Sequence, residues 1–172
     1  GALDDDAGGA AINIPVPRGF NDTEFDLILH DVILPALAAQ KPDAIYLQCG
    51  ADAVTEDPLS RLTLSNRCHV KAVTALRAMA PRLIVSGGGG YNPWSVGRAW
   101  TCVWATLAGH EIPDRLPQNA AGILQALRWS RKAQPSDVLL TTLLDDPRPG
   151  PISEQVRAAI AHLKSGSAWQ AG

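Results

Sequence analysis

The sequence predicts an α/β protein with a parallel sheet and flanking helices. Two short apolar runs, residues 44–49 and 82–86, have the composition of strands buried on both faces of a parallel sheet. Each run leads into a segment with apolar residues at helical spacing, and the order strand, helix, strand, helix is typical of a doubly wound sheet. The 172 residues are 46% apolar and 19% charged, which suits one domain with a packed core.

The chain before the first helix is predicted to hold one short strand. Residues 1–11 are glycine-rich and acidic and indicate a loop. Residues 12–17 alternate apolar side chains, but Pro15 and Pro17 lack backbone donors. We therefore expect a strand that ends there or lies at a sheet edge.

The first helix is expected to begin at Asn21 or Asp22, since either side chain can cap it. Apolar residues then recur at helical spacing up to about residue 40. Pro35 lies inside this pattern, and a proline in a helix interior predicts a kink.

Two further helices follow the predicted strands. Ser65 can cap a helix over residues 67–80, and Pro93 suits the first turn of another that ends at Gly109. Trp100 and Trp104 lie four residues apart in this last helix, and the pair is expected to pack rather than bind a ligand.

The C-terminal third carries weaker patterns. Residues 120–131 and 153–164 are predicted helices, separated by the turn-rich residues 145–151. We expect residues 1–172 to form a single partial domain, with a frayed tail over residues 166–172.

The net charge and the cysteine content limit which partners and which cellular compartment we expect. Net charge is −2, so no basic excess is available for a nucleic-acid backbone, and no apolar run approaches a membrane span. We therefore expect neither nucleic acid nor a membrane as partner. Three cysteines without metal-type spacing suit a reducing cytoplasm. The chain begins at Gly1, and its single methionine is Met79, so we expect a piece of a longer protein.

The loop after the first strand places Asp52 at a strand tip. In open α/β sheets, ligands bind beyond the carboxyl ends of the strands. Gly50 allows a sharp turn there, and the Asp52 carboxylate suits a cation such as zinc, or a base. The alternative is a loop aspartate that bonds its own backbone.

The second strand ends in four glycines, residues 87–90, which predict a close approach by a substrate or a neighbouring loop. A phosphate cradle is disfavoured, because neither a Lys-Ser/Thr pair nor the GxGxxG spacing of nucleotide-dependent oxidoreductases is present. Tyr91 follows, and its phenol could donate to a developing oxyanion or simply pack against the sheet end.

The four histidines lie far apart, without a metal-binding or paired motif. We expect solvated or internally satisfied side chains at all of them: His30, His69, His110 and His162.

Two motifs in order resemble the histone deacetylase–like enzymes. They are LQCGAD over residues 47–52, followed by DPL at 57–59, and GGGGYNP over residues 87–93. The resemblance covers most of residues 8–115, and bacterial deacetylases of the acetoin-utilisation type look closest. It implies the C-terminal half of an arginase–deacetylase fold.

The resemblance implies an amide hydrolase acting on acetylated lysine or another acylated amine. Zinc would polarise the acyl carbonyl while its bound water attacks. By position, the family's roles fall on Asp52 as a zinc ligand, Tyr91 as the oxyanion donor, Gly89 and Gly90 lining the acyl-lysine channel, and Pro58 and Leu59 as the acyl pocket wall.

The sequence also departs from the family pattern. The family's Asp-x-His zinc ligands and its His-His pair occur nowhere in the 172 residues. They belong to the N-terminal half of the family's domain, which we therefore expect as the missing partner. Alone, the chain is expected neither to hold zinc tightly nor to turn over. The alternative is a non-catalytic module. An exposed apolar surface would favour a half, and a self-covered sheet edge would favour the module.

Overall fold

The computed structural model describes residues 1–131 and 134–166, so the predicted frayed tail lies, apart from Gly166, outside the described residues. In chain order the helices and strands are α1 (Asp22–Ile28), a π-helical turn (Leu29–Ile33), α2 (Leu34–Gln40), β1 (Ile45–Gln48), a 3₁₀ turn (Ala51–Ala53), α3 (Arg67–Leu76), β2 (Leu83–Ser86), α4 (Pro93–Ala108), α5 (Gln118–Ala126), α6 (Asp137–Thr141) and α7 (Glu154–Ser165).

The sheet confirms the predicted fold class. Strands β1 and β2 pair in parallel, with the register running from Ile45 opposite Leu83 to Gln48 opposite Ser86. Helix α3 connects the two strands, and α4 follows β2 and packs against α3. Because parallel strands need a crossover of this kind, the arrangement places both strand tips at the same edge.

The prediction that both faces of the strands are buried is wrong. Tyr46 and Ile84 face each other across the two strands and are 68% and 60% exposed. On the opposite face, Leu47 and Val85 pack against a buried cluster that includes Val73 of α3. Apolar composition alone does not reveal which face a neighbouring element covers.

Residues 12–17 do not form the expected strand. Pro15 and Pro17 have no backbone N–H to donate to a ladder, and the segment pairs with no strand among the described residues. Ile14 and Val16 nevertheless pack, partly buried, against the main apolar cluster.

The first helix begins as predicted. Asn21 accepts from the backbone of Glu24, whose side chain in turn accepts from the Asn21 N–H, a complete capping box. Near Pro35, where a kink is expected, the α-helix is interrupted by the π-helical turn Leu29–Ile33. Pro35 lies at the start of α2, directly after this turn.

Helix α3 begins where predicted but differs from the prediction in its cap and in its C-terminal end. Ser65 does not cap it, because the Ser65 hydroxyl donates to Asp22 Oδ2 at 2.6 Å. The helix starts at Arg67 after Asn66 and ends at Leu76, four residues earlier than predicted. The side-chain amide of Asn66 donates to the Leu143 carbonyl.

Helix α4 matches its predicted bounds. Asn92 caps it by accepting from the Trp94 and Ser95 amides, Pro93 occupies the first position, and Gly109 ends it with φ of 73°.

The C-terminal segments match prediction only in part. Helix α5 stops at Ala126, and α6 was not predicted. Residues 145–151 contain neither helix nor strand, as expected, and Ser153 caps the predicted final helix, α7. The main core gathers eight buried residues, Phe20, Ile28, Val32, Leu64, Cys68, Val156, Ile160 and Leu163. Helix α7 therefore belongs to the same core as α1.

Among the described residues, no helix is both long and apolar enough to cross a membrane. Cys49, Cys68 and Cys102 are all buried free thiols.

Candidate active site

Asp52 lies in the 3₁₀ turn that follows β1. The turn is attached to the glycine loop by the Ala51 amide, which donates to the Gly89 carbonyl at 2.6 Å. Asp52 also lines a cavity of about 390 Å³ that is walled mainly by apolar side chains of α1, β1 and α3. The Asp52 carboxylate lies against the backbone of Gly50 and Gly89.

The glycine loop packs directly against this turn. A methyl group at Gly88 would lie 2.9 Å from the Gly50 Cα, and one at Gly89 would overlap Asp52 Oδ2. The close approach predicted from the four glycines is therefore made by the neighbouring loop. A side chain at Gly88, which faces backbone, would push the two strand tips apart.

Gly90 and Tyr91 complete the loop. Gly90 has φ of 151°, and a methyl group there would lie 2.6 Å from Val96 Cγ2 and 3.0 Å from the Ala51 Cβ. Tyr91 is 51% exposed.

Pro58 and Leu59 lie in the loop that leaves the Asp52 turn. Pro58 is half-buried, whereas Leu59 is 54% exposed. Their segment is connected to the glycine loop by Asp57, which accepts from the amides of both Leu59 and Tyr91. The structure thus brings Asp52 into contact with Gly89 and connects the Pro58–Leu59 segment to Tyr91 through one carboxylate.

Two side chains that the sequence did not single out for this site hold the end of β1. His69 of α3 is buried, and its Nε2 lies 2.9 Å from the Gly50 carbonyl oxygen. The Trp100 indole N–H donates to the Cys49 carbonyl at 2.8 Å, and its ring lies against Gly87. His69 is satisfied at Nε2 only, because its Nδ1 is buried without a hydrogen-bond partner among the described residues. Trp100 packs, as predicted, whereas Trp104 is 61% exposed. The position of His69 and Trp100 at the site follows from tertiary packing, which spacing does not encode.

The residues present do not complete a metal site. Across residues 1–131 and 134–166, no group of three His, Cys, Asp or Glu side chains is placed to hold a metal ion. A catalytic zinc takes three protein ligands. Among the described residues of this site, Asp52 offers one suitable donor.

Fold and site together define an α/β protein that presents a carboxylate and a tyrosine on adjoining loops at the tips of two parallel strands. The chain belongs to the histone deacetylase family, because the family model described as "Histone deacetylase domain" matches residues 2–107. The fold class and the resemblance to this family are thereby confirmed.

Relatives and solved structures agree with this assignment. Histone deacetylase 9 of Arabidopsis thaliana is 36% identical over 109 residues, which are 63% of this chain and 26% of the relative. Histone deacetylase clr6 of Schizosaccharomyces pombe is 34% identical over 109 residues, 63% of this chain and 27% of the relative. The crystal structure of a histone deacetylase homologue from Aquifex aeolicus superposes with a TM-score of 0.75 and 31% identity, covering 90% of this chain and 42% of that one.

The chain therefore spans less than half the length of these relatives. This share fits the expectation that it corresponds to one half of the family's fold.

Proposed function

We propose that the chain is the C-terminal part of a zinc-dependent deacetylase that hydrolyses acetyl-lysine-type amides or related acylated amines. Residues 1–172 would form a single partial domain. The observation that carries the proposal is the contact between Asp52 and the Gly89 backbone. It joins the two family motifs into one site. A histone deacetylase homologue solved in complex with SAHA is similar to this chain with a TM-score of 0.73, which supports ligand binding by a protein of this fold.

The chain's own residues would contribute two chemical functions. Asp52 would supply one ligand to zinc, the cofactor that the family implies, and the other ligands would come from outside the described residues. The Tyr91 phenol would donate a hydrogen bond to the oxygen of the acyl group as negative charge develops on it. A donor preorganised for such an oxyanion stabilises the transition state more than the ground state.

The remaining predicted residues would shape the channel. Gly89 and Gly90 would line the path of the acyl-lysine chain, since a backbone without side chains permits close approach. Pro58 and Leu59 would form the wall of the acyl pocket, and the exposure of Leu59 leaves its apolar surface free for this contact.

The exposed face of the sheet bears on the alternative of an independent non-catalytic module. Tyr46 and Ile84 expose most of their apolar surface on the two strands. A self-contained module would cover such a face, so we favour a part of a larger catalytic domain, with the N-terminal half as partner. From the motifs we further propose a bacterial deacetylase of the acetoin-utilisation type. The free buried thiols support a reducing compartment, the cytoplasm.

The first experiment measures zinc content and acetyl-lysine peptide hydrolysis of the purified 172-residue chain. We expect substoichiometric zinc and no turnover, because one carboxylate is too few ligands. Turnover by this chain without another polypeptide would contradict the partial-domain proposal.

The second experiment restores the rest of the domain. This chain replaces the segment of the Aquifex aeolicus homologue on which it superposes, and the chimera is assayed for zinc and for hydrolysis of the same peptide. We expect activity, and loss of both zinc and activity in Asp52→Asn. The control, Asp43→Asn, removes an exposed carboxylate before β1 and should leave both unchanged. Full zinc and turnover in Asp52→Asn would reject the assigned role.

A further inference from the structure

Asp57 is a buried carboxylate that joins two chain segments of the site. It is 4% exposed, although it lies in a loop. Its Oδ1 accepts the Leu59 N–H at 2.9 Å and its Oδ2 accepts the Tyr91 N–H at 2.6 Å. One side chain therefore fixes the backbone of the acyl pocket wall and that of the tyrosine at the same time.

A second bond reinforces this connection. The Asn92 side-chain amide donates to the Glu56 carbonyl at 2.9 Å, and the Asn92 Oδ1 caps α4 by accepting the Trp94 amide at 3.0 Å. Glu56 and Asp57 of one loop thus hold Tyr91 and Asn92 of the other. The held pair leads directly into a sixteen-residue helix, so the anchor is rigid.

The glycines make this anchor necessary. On the sheet side, Tyr91 is preceded by four residues without side chains, and Gly90 adopts φ of 151°. A segment of this composition has wide conformational freedom, and the strand end alone does not fix where the tyrosine lies. The restraint on Tyr91 therefore comes from Asp57 and from the helix cap that follows.

The free-energy cost of burying a carboxylate also distinguishes Asp57. A buried carboxylate is costly unless it is paired or hydrogen-bonded. In the described part of the chain, no salt bridge includes Asp57, whereas its two backbone donors give charge-assisted hydrogen bonds. The two amides that Asp57 positions thus supply the hydrogen bonds of its buried carboxylate.

We propose that Asp57 is a positioning residue that sets the placement of the Tyr91 phenol relative to the pocket wall at Leu59. The inference rests on the proposed function for its catalytic meaning. Asp57 touches neither substrate nor metal in this account and acts only through the backbone of the two segments that it joins.

The test uses the 172-residue chain, which contains only two tyrosines, Tyr46 and Tyr91. Labelling with ¹⁵N-tyrosine gives two amide signals, and labelling with 3-fluorotyrosine gives two ring signals, which Tyr46→Phe assigns. In Asp57→Ala, we expect the Tyr91 amide proton to move upfield and to exchange with solvent on the order of 10- to 100-fold faster, since a charge-assisted bond is lost. The Tyr91 fluorine signal should narrow and shift toward its unfolded value. The Tyr46 signals should not change.

Glu56→Ala is the matched control. It removes the neighbouring carboxylate but keeps the Glu56 carbonyl that holds Asn92. We expect both Tyr91 signals to stay in place. Unchanged Tyr91 signals in Asp57→Ala, or equal shifts in both variants, would overturn the inference.

A second measurement covers the case in which Asp57→Ala does not fold. In the unmutated chain, a long-range HNCO spectrum should show a coupling between the Tyr91 amide nitrogen and the Asp57 carboxyl carbon, and a coupling from Tyr91 to another carbonyl instead would reject the anchor. Neither measurement depends on turnover. An inactive chimera would therefore count against the proposed function, whereas these spectra decide the role of Asp57 separately.

Discussion

The backbone amide of Ala51 donates to the carbonyl oxygen of Gly89 at 2.6 Å, and this bond holds together the loops that leave the two strands. Asp52 follows Ala51 directly, and Tyr91 lies two residues after Gly89. Because the strands are parallel neighbours, their loops leave from the same edge, and one backbone hydrogen bond fixes their separation. Main chain thus joins the two loops, and the Asp57 side chain adds the restraint on Tyr91 itself.

Gly88→Ala should destabilise the fold. The added methyl group would lie 2.9 Å from the Gly50 Cα and 3.1 Å from the Gly50 nitrogen, and backbone cannot move aside without separating the strand tips. We expect a loss of about 1–3 kcal/mol in the free energy of unfolding, measured by urea denaturation. Gly97→Ala in α4 is the control, since nothing lies within 4 Å of its added methyl group. It should stabilise by about 0.5–1 kcal/mol. Equal urea midpoints for the two variants would contradict the predicted close approach.

Gly89→Ala should lower zinc content and turnover of the chimera while costing little stability. The added methyl group would overlap the Asp52 carboxylate, which is the mobile end of a side chain, so rotation relieves the clash. We expect a loss of less than about 1 kcal/mol in unfolding free energy. In the chimera, the displaced carboxylate should lower zinc content and turnover. Unaltered zinc content and turnover would show that the Asp52 position seen here is not the functional one.

Arg98→Met should lower the free energy of unfolding far more than the loss of an exposed ion pair does. Arg98 Nη1 lies 2.6 Å from Asp145 Oδ1, and the two side chains are 2% and 5% exposed. Removing one partner leaves a buried charge, which costs about 3–5 kcal/mol. Lys71→Met, which breaks the exposed pair with Asp26, should cost less than about 1 kcal/mol. Urea denaturation distinguishes the two. Similar costs would show that the segment around Asp145, which lies beyond the matched residues 2–107, is not part of the core.

Asp22 should make stability depend on pH. Burial by itself raises its pKa, but hydrogen bonds from Ser65, the Arg148 amide and Cys68 outweigh burial and hold the pKa below its ordinary value of 3.8. The stabilisation is therefore fully present above the ordinary pKa and is lost as pH falls through the lower value of the folded state. We expect the difference in unfolding free energy between wild type and Asp22→Asn to shrink as pH is lowered from about 6 to about 3.

Ser65→Ala provides the control for this pH dependence. It removes the largest of the contributions that lower the Asp22 pKa, so the dependence should weaken but persist. A difference between wild type and Asp22→Asn that stays constant with pH would show that the Asp22 pKa is not shifted in the folded state.

The order β1, α3, β2 and α4 could be predicted from the sequence, because it depends on local signals. Asn92, Pro93 and Gly109 mark the ends of α4 through capping and backbone preferences that act within a few residues. The loops that carry Asp52 and Tyr91 were located in the same way, since glycines end the two apolar runs.

What the sequence could not reveal depends on contacts between distant residues. Ser65 has the chemistry of a helix cap, but Asp22, 43 residues away in the chain, takes its hydroxyl. The bond from Asp57 to Tyr91 joins residues 34 positions apart. Likewise, the exposure of Tyr46 follows from which face of β1 is covered, and alternation in an apolar run does not specify that.

The most direct test of the account is the effect of Tyr91→Phe on turnover of the chimera, with Tyr46→Phe as the matched loss of a phenol. Tyr46 lies on β1, where its hydroxyl donates to Ser86 at 2.7 Å. Removing an oxyanion donor lowers kcat on the order of 10²- to 10³-fold. We predict a loss of this size for Tyr91→Phe, with zinc content unchanged, and wild-type kcat for Tyr46→Phe. Wild-type kcat in Tyr91→Phe would contradict the assignment of this strand-tip site as the catalytic centre.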